Sequence, residues 1–320
     1  MSRRGAPSSL NVLIAVDKPL GLTSHDAVAR VRRAVGEKRV GHAGTLDPAA
    51  TGVLVTGIGQ ATKLLGLLTL DRKVYRARIV LGSETTTDDA EGEVTECGVV
   101  GPELLDENFA RKRVEQLVGV FEQVPPTYSA VSVDGRRAYD LARHGEEVEL
   151  QPRHVEVYAA CLLSVEEGEK PAWVVELDVS KGTYVRAIAR DLGRELGCYA
   201  HLDGLVRVRA GSIGLEDCVS FDELDKGGVE CARAAALDPV AALGLATRQL
   251  ELAELRDVSC GRKIEPGVVT DPTGAVRGPY SGERVCLVWD GGLVGIWQRT
   301  GASLVCDTNF PVAIEGVRNA

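Results

Sequence analysis

One aspartate stands in a glycine-rich run of the chain, Arg39-Val40-Gly41-His42-Ala43-Gly44-Thr45-Leu46-Asp47-Pro48. Glycine lets a backbone adopt positive φ and lets a substrate approach closely. The proline after Asp47 has a fixed φ and therefore stiffens the setting of the aspartate. This composition would hold a single carboxylate at the mouth of a cleft, where it could act on a substrate. The alternative is an Asx-type turn, which is the ordinary role of a lone Asp-Pro pair.

The segments around Asp47 predict the elements that would position it. Residues 13–16 read as a short apolar strand, and residues 53–55 read as another one directly after the loop. Either Thr23 or Ser24 is suited to cap a helix over residues 25–35, with Gly36 ending it. Farther along, residues 73–81, 155–165 and 172–179 have the composition of strands, and residues 184–196 that of a helix. The pattern predicts an α+β fold with a mixed or antiparallel sheet.

The chain changes character near residues 240–250. Two apolar runs, 285–289 and 293–297, flank Asp290-Gly291-Gly292, which is a hairpin signal. We therefore predict a flexible N-terminal extension over residues 1–11, a large domain over residues 12–247 and a small β-rich domain over residues 248–320.

Charge is distributed unevenly along the chain. The net charge is −9, which by itself argues weakly against a nucleic-acid partner. Between His25 and Val80, however, ten basic residues face four acidic ones, a local net charge of +6, so the rest of the chain carries −15. The basic excess surrounds Asp47 and favours a polyanionic partner. The acidic stretch over residues 84–96 is interpreted as a solvated loop.

Several classes of protein are disfavoured by composition. The basic N-terminus has no apolar core after it that would suit a signal peptide, and no stretch reaches the roughly 20 apolar residues of a membrane span. The eight cysteines stand singly, without the spacing of a zinc site, and are interpreted as reduced thiols. These features predict a cytoplasmic protein without a metal site.

Five segments, in this order, resemble the motifs of the TruB family of pseudouridine synthases. The central one is the run that contains Asp47, which resembles the family's G-H-x-G-x-L-D-P. The others are Val16–Asp26, Lys73–Ala77, the pair Pro125–Val131 and Asp134–Tyr139, and Ser180–Arg186 with its continuation around residues 201–207. Five ordered matches over about 200 residues make coincidence very improbable. The resemblance implies a pseudouridine synthase fold, and it assigns residues 12–247 to a catalytic domain and residues 248–320 to a PUA-like RNA-binding domain.

The resemblance also implies roles for individual residues. Asp47 would be the nucleophile in a dry pocket, with Arg186 as the partner that keeps it ionised. Tyr75 would stack on the target base and could take part in proton transfer, although a tyrosine in an apolar strand is ordinarily a core residue.

Four further residues are implied to contact or support the substrate. Tyr184 would line the pocket, for which a buried tyrosine at a helix start is the alternative, and Leu205 would form an apolar wall. His42 would help to hold flipped bases, unless it only satisfies a loop hydrogen bond. Lys18 would support the loop that bears Asp47.

The function implied is isomerisation of uridine 55 in the T-loop of tRNA. Sequence-specific RNA recognition targets such loops, because their bases can be splayed out. The resemblance implies no cofactor, no membrane and no obligate protein partner, and we expect a monomer that binds the tRNA T-stem-loop. An RNA chaperone and a guide-RNA-dependent synthase are the alternatives. Attack of Asp47 on the uracil ring, attack on the ribose carbon and stabilisation of an eliminated glycal all remain open.

Overall fold

A computed structural model describes residues 9–68, 71–129, 132–133, 136–137 and 150–318 of the chain. The chain divides into two compact units. The first unit comprises residues 1–48, 52–70 and 211–320, and the second comprises residues 49–51 and 71–210.

The described elements, in chain order, alternate between strands and short helices. The strands are β1 (Leu13–Lys18), β2 (Val40–Ala43), β3 (Ala50–Ile58), β4 (Arg72–Leu81), β5 (Ser83–Thr85), β6 (Val94–Cys97), β7 (Gly119–Gln123), β8 (Ser132–Val133), β9 (Arg136–Arg137), β10 (Arg153–Glu166), β11 (Ala172–Ser180), β12 (Ala200–Ala210), β13 (Ile213–Gly214), β14 (Cys218–Val219), β15 (Ala246–Gln249), β16 (Val269–Thr270), β17 (Val276–Arg277), β18 (Arg284–Trp289), β19 (Gly292–Thr300) and β20 (Ser303–Ile314). The α-helices are α1 (Ser24–Val35), α2 (Glu107–Glu115), α3 (Val185–Glu195), α4 (Phe221–Ala234), α5 (Pro239–Leu243) and α6 (Leu255–Ser259).

In the first unit, helix α1 packs on strands β1 and β3. Strand β1 runs antiparallel to β3 and parallel to β14, and β2 also pairs antiparallel with β3. The apolar stripe of α1 at Ala27, Val28 and Val31 is buried in one cluster with the apolar residues of β1 and with α4. Thr23 is the N-cap and Gly36, in the left-handed region at φ 66°, is the C-cap. The helix predicted over residues 25–35 is confirmed, and Thr23 rather than Ser24 caps it.

The C-terminal strands form a second sheet, in the order β17-β16-β15-β18-β19-β20. The predicted hairpin is confirmed as β18 and β19. Its turn residues Asp290 and Gly291 both have positive φ, as a type I′ turn requires. The sheet closes over a core that contains the fully buried Trp297. It belongs to the same compact unit as the N-terminal segment, and the domain boundary at residue 247 stays a prediction.

The second unit is built on an antiparallel sheet in the order β12-β4-β11-β10-β7. The strands predicted over residues 73–81, 155–165 and 172–179 are confirmed as β4, β10 and β11. Helix α3 lies against β12, and helix α2 lies against β10. Strands β8 and β9 pair with each other, while the predicted turn at Asp134-Gly135 lies outside the described residues.

These sheets, which contain both parallel and antiparallel pairs, confirm the prediction of an α+β fold with a mixed sheet. All eight cysteines are free thiols. Within the described ranges of the chain, no helix is long and apolar enough to cross a membrane.

Candidate active site

The backbone around Asp47 is anchored first through Ser24. Because Thr23 caps helix α1, the Ser24 hydroxyl is available to Leu46, where it donates to the carbonyl oxygen (3.0 Å) and accepts from the N–H (2.9 Å). Both Ser24 and Leu46 are buried. The residue before Asp47 is therefore fixed by two hydrogen bonds to one side chain. Sequence reasoning considered Ser24 only as a helix cap.

The other side of Asp47 is anchored through a turn that Lys18 supports. Lys18 is fully buried, and its Nζ donates to the carbonyl oxygens of Pro19 (3.0 Å) and Leu22 (2.7 Å). Gly21, at φ 83°, then donates its N–H to the carbonyl oxygen of Pro48 (2.9 Å). A positive φ at this point favours glycine. Lys18 thus stabilises the turn that holds the residue after Asp47.

Asp47 itself is exposed in the structure. The dry pocket that the resemblance implies for this carboxylate stays a prediction. Leu46 is buried, whereas Gly44, Thr45 and Asp47 are exposed. The backbone of Asp47 is held on both sides and its side chain reaches solvent.

We expect the substitution Ser24→Ala to lower the free energy of unfolding by about 1–3 kcal/mol, because it leaves the buried N–H and carbonyl of Leu46 unsatisfied. Chemical denaturation measures this loss. The control Thr23→Ala removes the N-cap instead and should cost about 1 kcal/mol. A loss for Ser24→Ala smaller than that of the control would contradict the anchoring role.

His42 lies on β2, opposite Thr56 of β3. Its half-buried ring meets the exposed ring of His25 edge to face, with the ring centroids 5.9 Å apart. The role of His42 in holding flipped bases stays a prediction. His25 belongs to the first of the matched sequence segments, although nothing in its local pattern marks it as a neighbour of His42.

Helix α3 presents three arginines to the acidic stretch of residues 84–96. Arg186, Arg190 and Arg194 recur every four residues and share one face of the helix. They pair with Asp89 (3.2 Å), Asp88 (2.8 Å) and Glu84 (2.5 Å), respectively. All three carboxylates are buried. The interpretation of this stretch as a solvated loop is wrong for its first half, because Glu84 on β5 and Asp88 and Asp89 in the turn after it are buried and pair with α3. Strand β6, in its second half, is exposed.

Asp88 makes the stability of this unit depend on pH. Burial raises the pKa of Asp88 to about 6, although Arg190 and Arg186 favour its ionised form, whereas an unfolded chain titrates near 3.9. Between about pH 4 and pH 6 the Asp88 carboxyl keeps its proton in the folded protein and loses it in the unfolded chain. The resulting contribution to the free energy of unfolding is full at about pH 4 and is lost as the pH rises through about 6. Between pH 4 and pH 7, we expect the free energy of unfolding of the wild type to fall by about 2–3 kcal/mol relative to that of Asp88→Asn.

Urea denaturation at each pH measures this difference between the two proteins. The matched control is Asp191→Asn, because Asp191 bonds the same guanidinium of Arg190 (2.8 Å) but is half exposed. This control removes a carboxylate from the same guanidinium and keeps the buried one. A difference for Asp88→Asn that does not change between pH 4 and pH 7, or that changes no more than that of the control, would contradict the expectation.

The Arg186 side chain is held in place by hydrogen bonds. Its guanidinium donates to the carbonyl oxygens of Thr87 (3.1 Å) and Tyr128 (3.2 Å) as well as to Asp89. Thr87 and Asp89 belong to the acidic stretch, and Tyr128 follows Pro125-Pro126. The helix face that carries Arg186 is therefore bonded to two separate segments of the second unit.

Tyr75 and Leu205 lie on one face of the sheet in the second unit. Tyr75 of β4 is opposite Arg207 of β12, and the next pair on that face is Ala77 with Leu205. Directly opposite residues share a face, so Tyr75 and Leu205 are diagonal neighbours. Tyr75 is buried and Leu205 is half-buried. The structure brings these two predicted site residues together.

Tyr184 directly precedes α3 as its N-cap residue. Its side chain makes no capping hydrogen bond, and it is half-buried. Instead, the side chain of Gln123 bonds both backbone groups of Tyr184: Nε2 donates to the carbonyl oxygen (3.1 Å) and Oε1 accepts from the N–H (2.9 Å). Sequence reasoning missed Gln123, because an amide at a strand end has no distinctive local pattern.

Comparison with known proteins gives extensive matches. The chain is 46% identical over 267 residues to "tRNA pseudouridine synthase B" of Thermobifida fusca, covering 82% of this chain and 89% of that protein. It is 47% identical over 272 residues to the protein of the same name from Rhodococcus jostii, covering 83% and 87%. The chain belongs to the TruB family. The family model described as TruB family pseudouridylate synthase (N terminal domain) matches residues 32–185.

A second family model, tRNA pseudouridylate synthase B C-terminal domain, matches residues 186–240. The two TruB models together include six of the predicted site residues, namely His42, Asp47, Tyr75, Tyr184, Arg186 and Leu205. Lys18 lies before the first match. The predicted membership of the TruB family is confirmed.

The TruB fold is also found among solved structures. A chain from the structure of an H/ACA RNP bound to a substrate RNA containing 2′-deoxyuridine matches with a TM-score of 0.64 at 20% identity, covering 93% of this chain and 84% of that one. A chain from a Cbf5-Nop10-Gar1 complex matches with a TM-score of 0.65 at 22% identity, covering 96% and 85%. At this identity the likeness shows the fold, and it confirms the predicted pseudouridine synthase fold.

Proposed function

We propose that this TruB-family protein is a tRNA pseudouridine synthase that isomerises uridine 55 of the T-loop, with Asp47 as its nucleophile. The relatives that share its family, at 46–47% identity, carry the name tRNA pseudouridine synthase B. The observation that carries the assignment of Asp47 is the double anchoring of its backbone, through Ser24 on one side and Gly21 on the other. Fixed placement of a reacting group is what makes nucleophilic catalysis effective.

The reaction conserves every atom of the nucleotide. The bond from N1 of uracil to C1′ of ribose breaks, the base turns, and a bond from C5 to C1′ forms. The proton on C5 then leaves, and N1 gains a proton. Asp47 would supply the nucleophile or stabilise the eliminated sugar, with Arg186 as the cation that accompanies it. No step of this scheme requires a cofactor.

Tyr75 would bind the base that has left the RNA stack. Stacking on an aromatic face contributes roughly 1–3 kcal/mol, and a tyrosine hydroxyl can serve as an acid or base for the C5 proton. Leu205, its diagonal neighbour on the same sheet face, would form an apolar wall. Tyr184 would line the same pocket, His42 would hold flipped bases of the loop, and Lys18 would keep its supporting role.

The proposed enzyme acts in the cytoplasm as a monomer, on tRNA alone, with neither a guide RNA nor a protein partner. Its RNA affinity should fall with salt, because phosphate contacts dominate such binding. The local charge of +6 between His25 and Val80 supports this expectation.

The test is incubation of purified protein with an unmodified tRNA transcript, followed by chemical mapping of pseudouridine. One new pseudouridine at position 55 is expected, and none in a transcript that carries cytidine at that position. Binding of tRNA without any product would favour the chaperone, and product only after addition of a guide RNA would favour the guide-dependent synthase. Either result would overturn the proposal.

A further inference from the structure

We propose that Gln123 is a positioning residue of the active site, which sets Tyr184 and Arg186 through the backbone at the start of helix α3. The proposal rests on the proposed function and extends it to a residue outside the predicted site. Gln123 is the last residue of β7, and 1% of its surface is exposed. A buried primary amide must find partners for its polar atoms.

Among the residues that the structure describes, the amide of Gln123 bonds Tyr184 alone, and it bonds both backbone groups of Tyr184. It donates to the carbonyl oxygen of Tyr184 and accepts from the N–H of Tyr184. The polarity of these two backbone groups fixes the orientation of the amide. A carboxylate can accept but not donate, and an apolar side chain can do neither. The site therefore requires an amide.

We call the two hydrogen bonds between Gln123 and Tyr184 the clamp. It is needed because the side chain of the N-cap residue does not cap α3. Tyr184 has extended backbone angles (φ −99°, ψ 109°), and its side chain caps nothing. The first N–H groups of a helix lack intrahelical partners and must be satisfied from outside. Gln123 satisfies the N–H of Tyr184 at the point where the chain turns into the helix, and so it fixes the direction in which the helix departs.

Two residues with proposed roles depend on that direction. Tyr184 is the clamped residue, and Arg186 lies two positions into α3. The segment that follows Gln123 reinforces the arrangement, because Arg190 donates to the carbonyl of Val124 (3.0 Å) and Arg186 donates to that of Tyr128. Pro125-Pro126 between them cannot donate backbone hydrogen bonds. Segment 123–128 thus holds the start of α3 in place through hydrogen bonds.

The experiment compares Gln123→Glu and Gln123→Met with the wild type, by the rate of pseudouridine formation on tRNA transcript. The glutamate keeps the acceptor and, when ionised, loses the donor. The methionine keeps the volume and loses both. The control is Gln116→Glu, because Gln116 is exposed at the end of α2 and its side chain accepts from the nearby Arg113 (3.0 Å). Circular dichroism and the melting temperature establish that each variant is folded.

We expect kcat of both Gln123 variants to fall by roughly 10²-fold at pH 8, because a misplacement of catalytic groups by about 1 Å lowers the rate by that factor. KM for tRNA should stay within a few-fold of the wild type. The ratio of kcat between Gln123→Glu and the wild type should rise as the pH falls from 8.5 to 5.5, because the protonated acid can donate again to the carbonyl of Tyr184. The same ratio for Gln123→Met should stay low, and that for Gln116→Glu should stay near one.

Charged groups around position 123 include the guanidinium of Arg190, which bonds the adjacent carbonyl, that of Arg186, and Arg153, the register partner on β10. The carboxylates include the chain neighbour Glu122 and the partners of the two buried arginines, namely Asp88, Asp89 and Asp191. Nearby cations lower the pKa of an introduced carboxyl, whereas burial and nearby carboxylates raise it. The range from pH 8.5 to pH 5.5 covers a shift in either direction. Folded variants with kcat within two-fold of the wild type would overturn the positioning role. So would a Gln123→Glu ratio that follows Gln123→Met at every pH. A wild type without product would instead overturn the proposed function itself, and the positioning role with it.

Discussion

Replacing Asp47 by asparagine is expected to abolish pseudouridine formation, with kcat lowered by at least about 10⁴-fold, because the proposed reaction loses its nucleophile. The asparagine has the same size, and the anchors at Leu46 and Pro48 are made by the backbone. The fold and the affinity for tRNA should therefore be retained. Single-turnover kinetics on tRNA transcript measures the chemical step, and a filter-binding titration measures the affinity.

A matched control for this substitution is Asp222→Asn. Asp222 lies in the same compact unit, with 83% of its side chain exposed, and its ion pair with Arg30 lies at the surface. Its rate should equal that of the wild type, because exposed ion pairs contribute little. An Asp47→Asn variant within ten-fold of the wild-type rate would exclude Asp47 as the nucleophile and would leave it the role of a turn residue.

Replacing Arg186 by alanine is expected to destabilise the protein by about 3–5 kcal/mol, because it leaves the Asp89 carboxylate buried without this cation. It also removes the donor to the carbonyls of Thr87 and Tyr128. Activity should be lost together with stability, since Arg186 is the proposed companion of Asp47. Chemical denaturation and the tRNA assay measure the two effects separately.

The double variant Arg186→Ala/Asp89→Asn separates the structural effect from the chemical one. Removal of the buried negative charge should restore part of the free energy of unfolding, while activity stays low. Arg194→Ala is the control on the same helix face. Because Arg194 is half exposed, water can reach the Glu84 carboxylate once Arg194 is removed, and its loss should cost less than that of Arg186. A double variant that recovers activity along with stability would contradict the catalytic role of Arg186.

The elements near Asp47 could be predicted because their signals are local. The apolar spacing in α1, its capping threonine and its terminal glycine all lie within fifteen residues of one another. The hairpin of β18 and β19 follows in the same way from Asp290-Gly291 between two apolar runs. In each case neighbouring residues carry the whole physical cause.

The polar architecture of the second unit could not be predicted, because its partners are distant in sequence. The three arginines of α3 and the acidic stretch are each visible in the sequence, but about 100 residues separate the members of each pair. Composition alone assigned that stretch to solvent. The clamp of Gln123 on Tyr184 joins residues 61 apart, with no pattern to reveal it. The family resemblance supplied most of the candidate site, and none of these supporting contacts.

The most direct test of the proposed function follows the proton that the reaction must release. A tRNA transcript labelled with tritium at C5 of its uridines is incubated with the wild type and with Asp47→Ala, and the tritium that enters water is counted. We predict that the wild type, without any guide RNA, releases one tritium per transcript and then stops, and that the variant releases none. Release by the variant at the wild-type rate, or no release by either protein, would contradict the account.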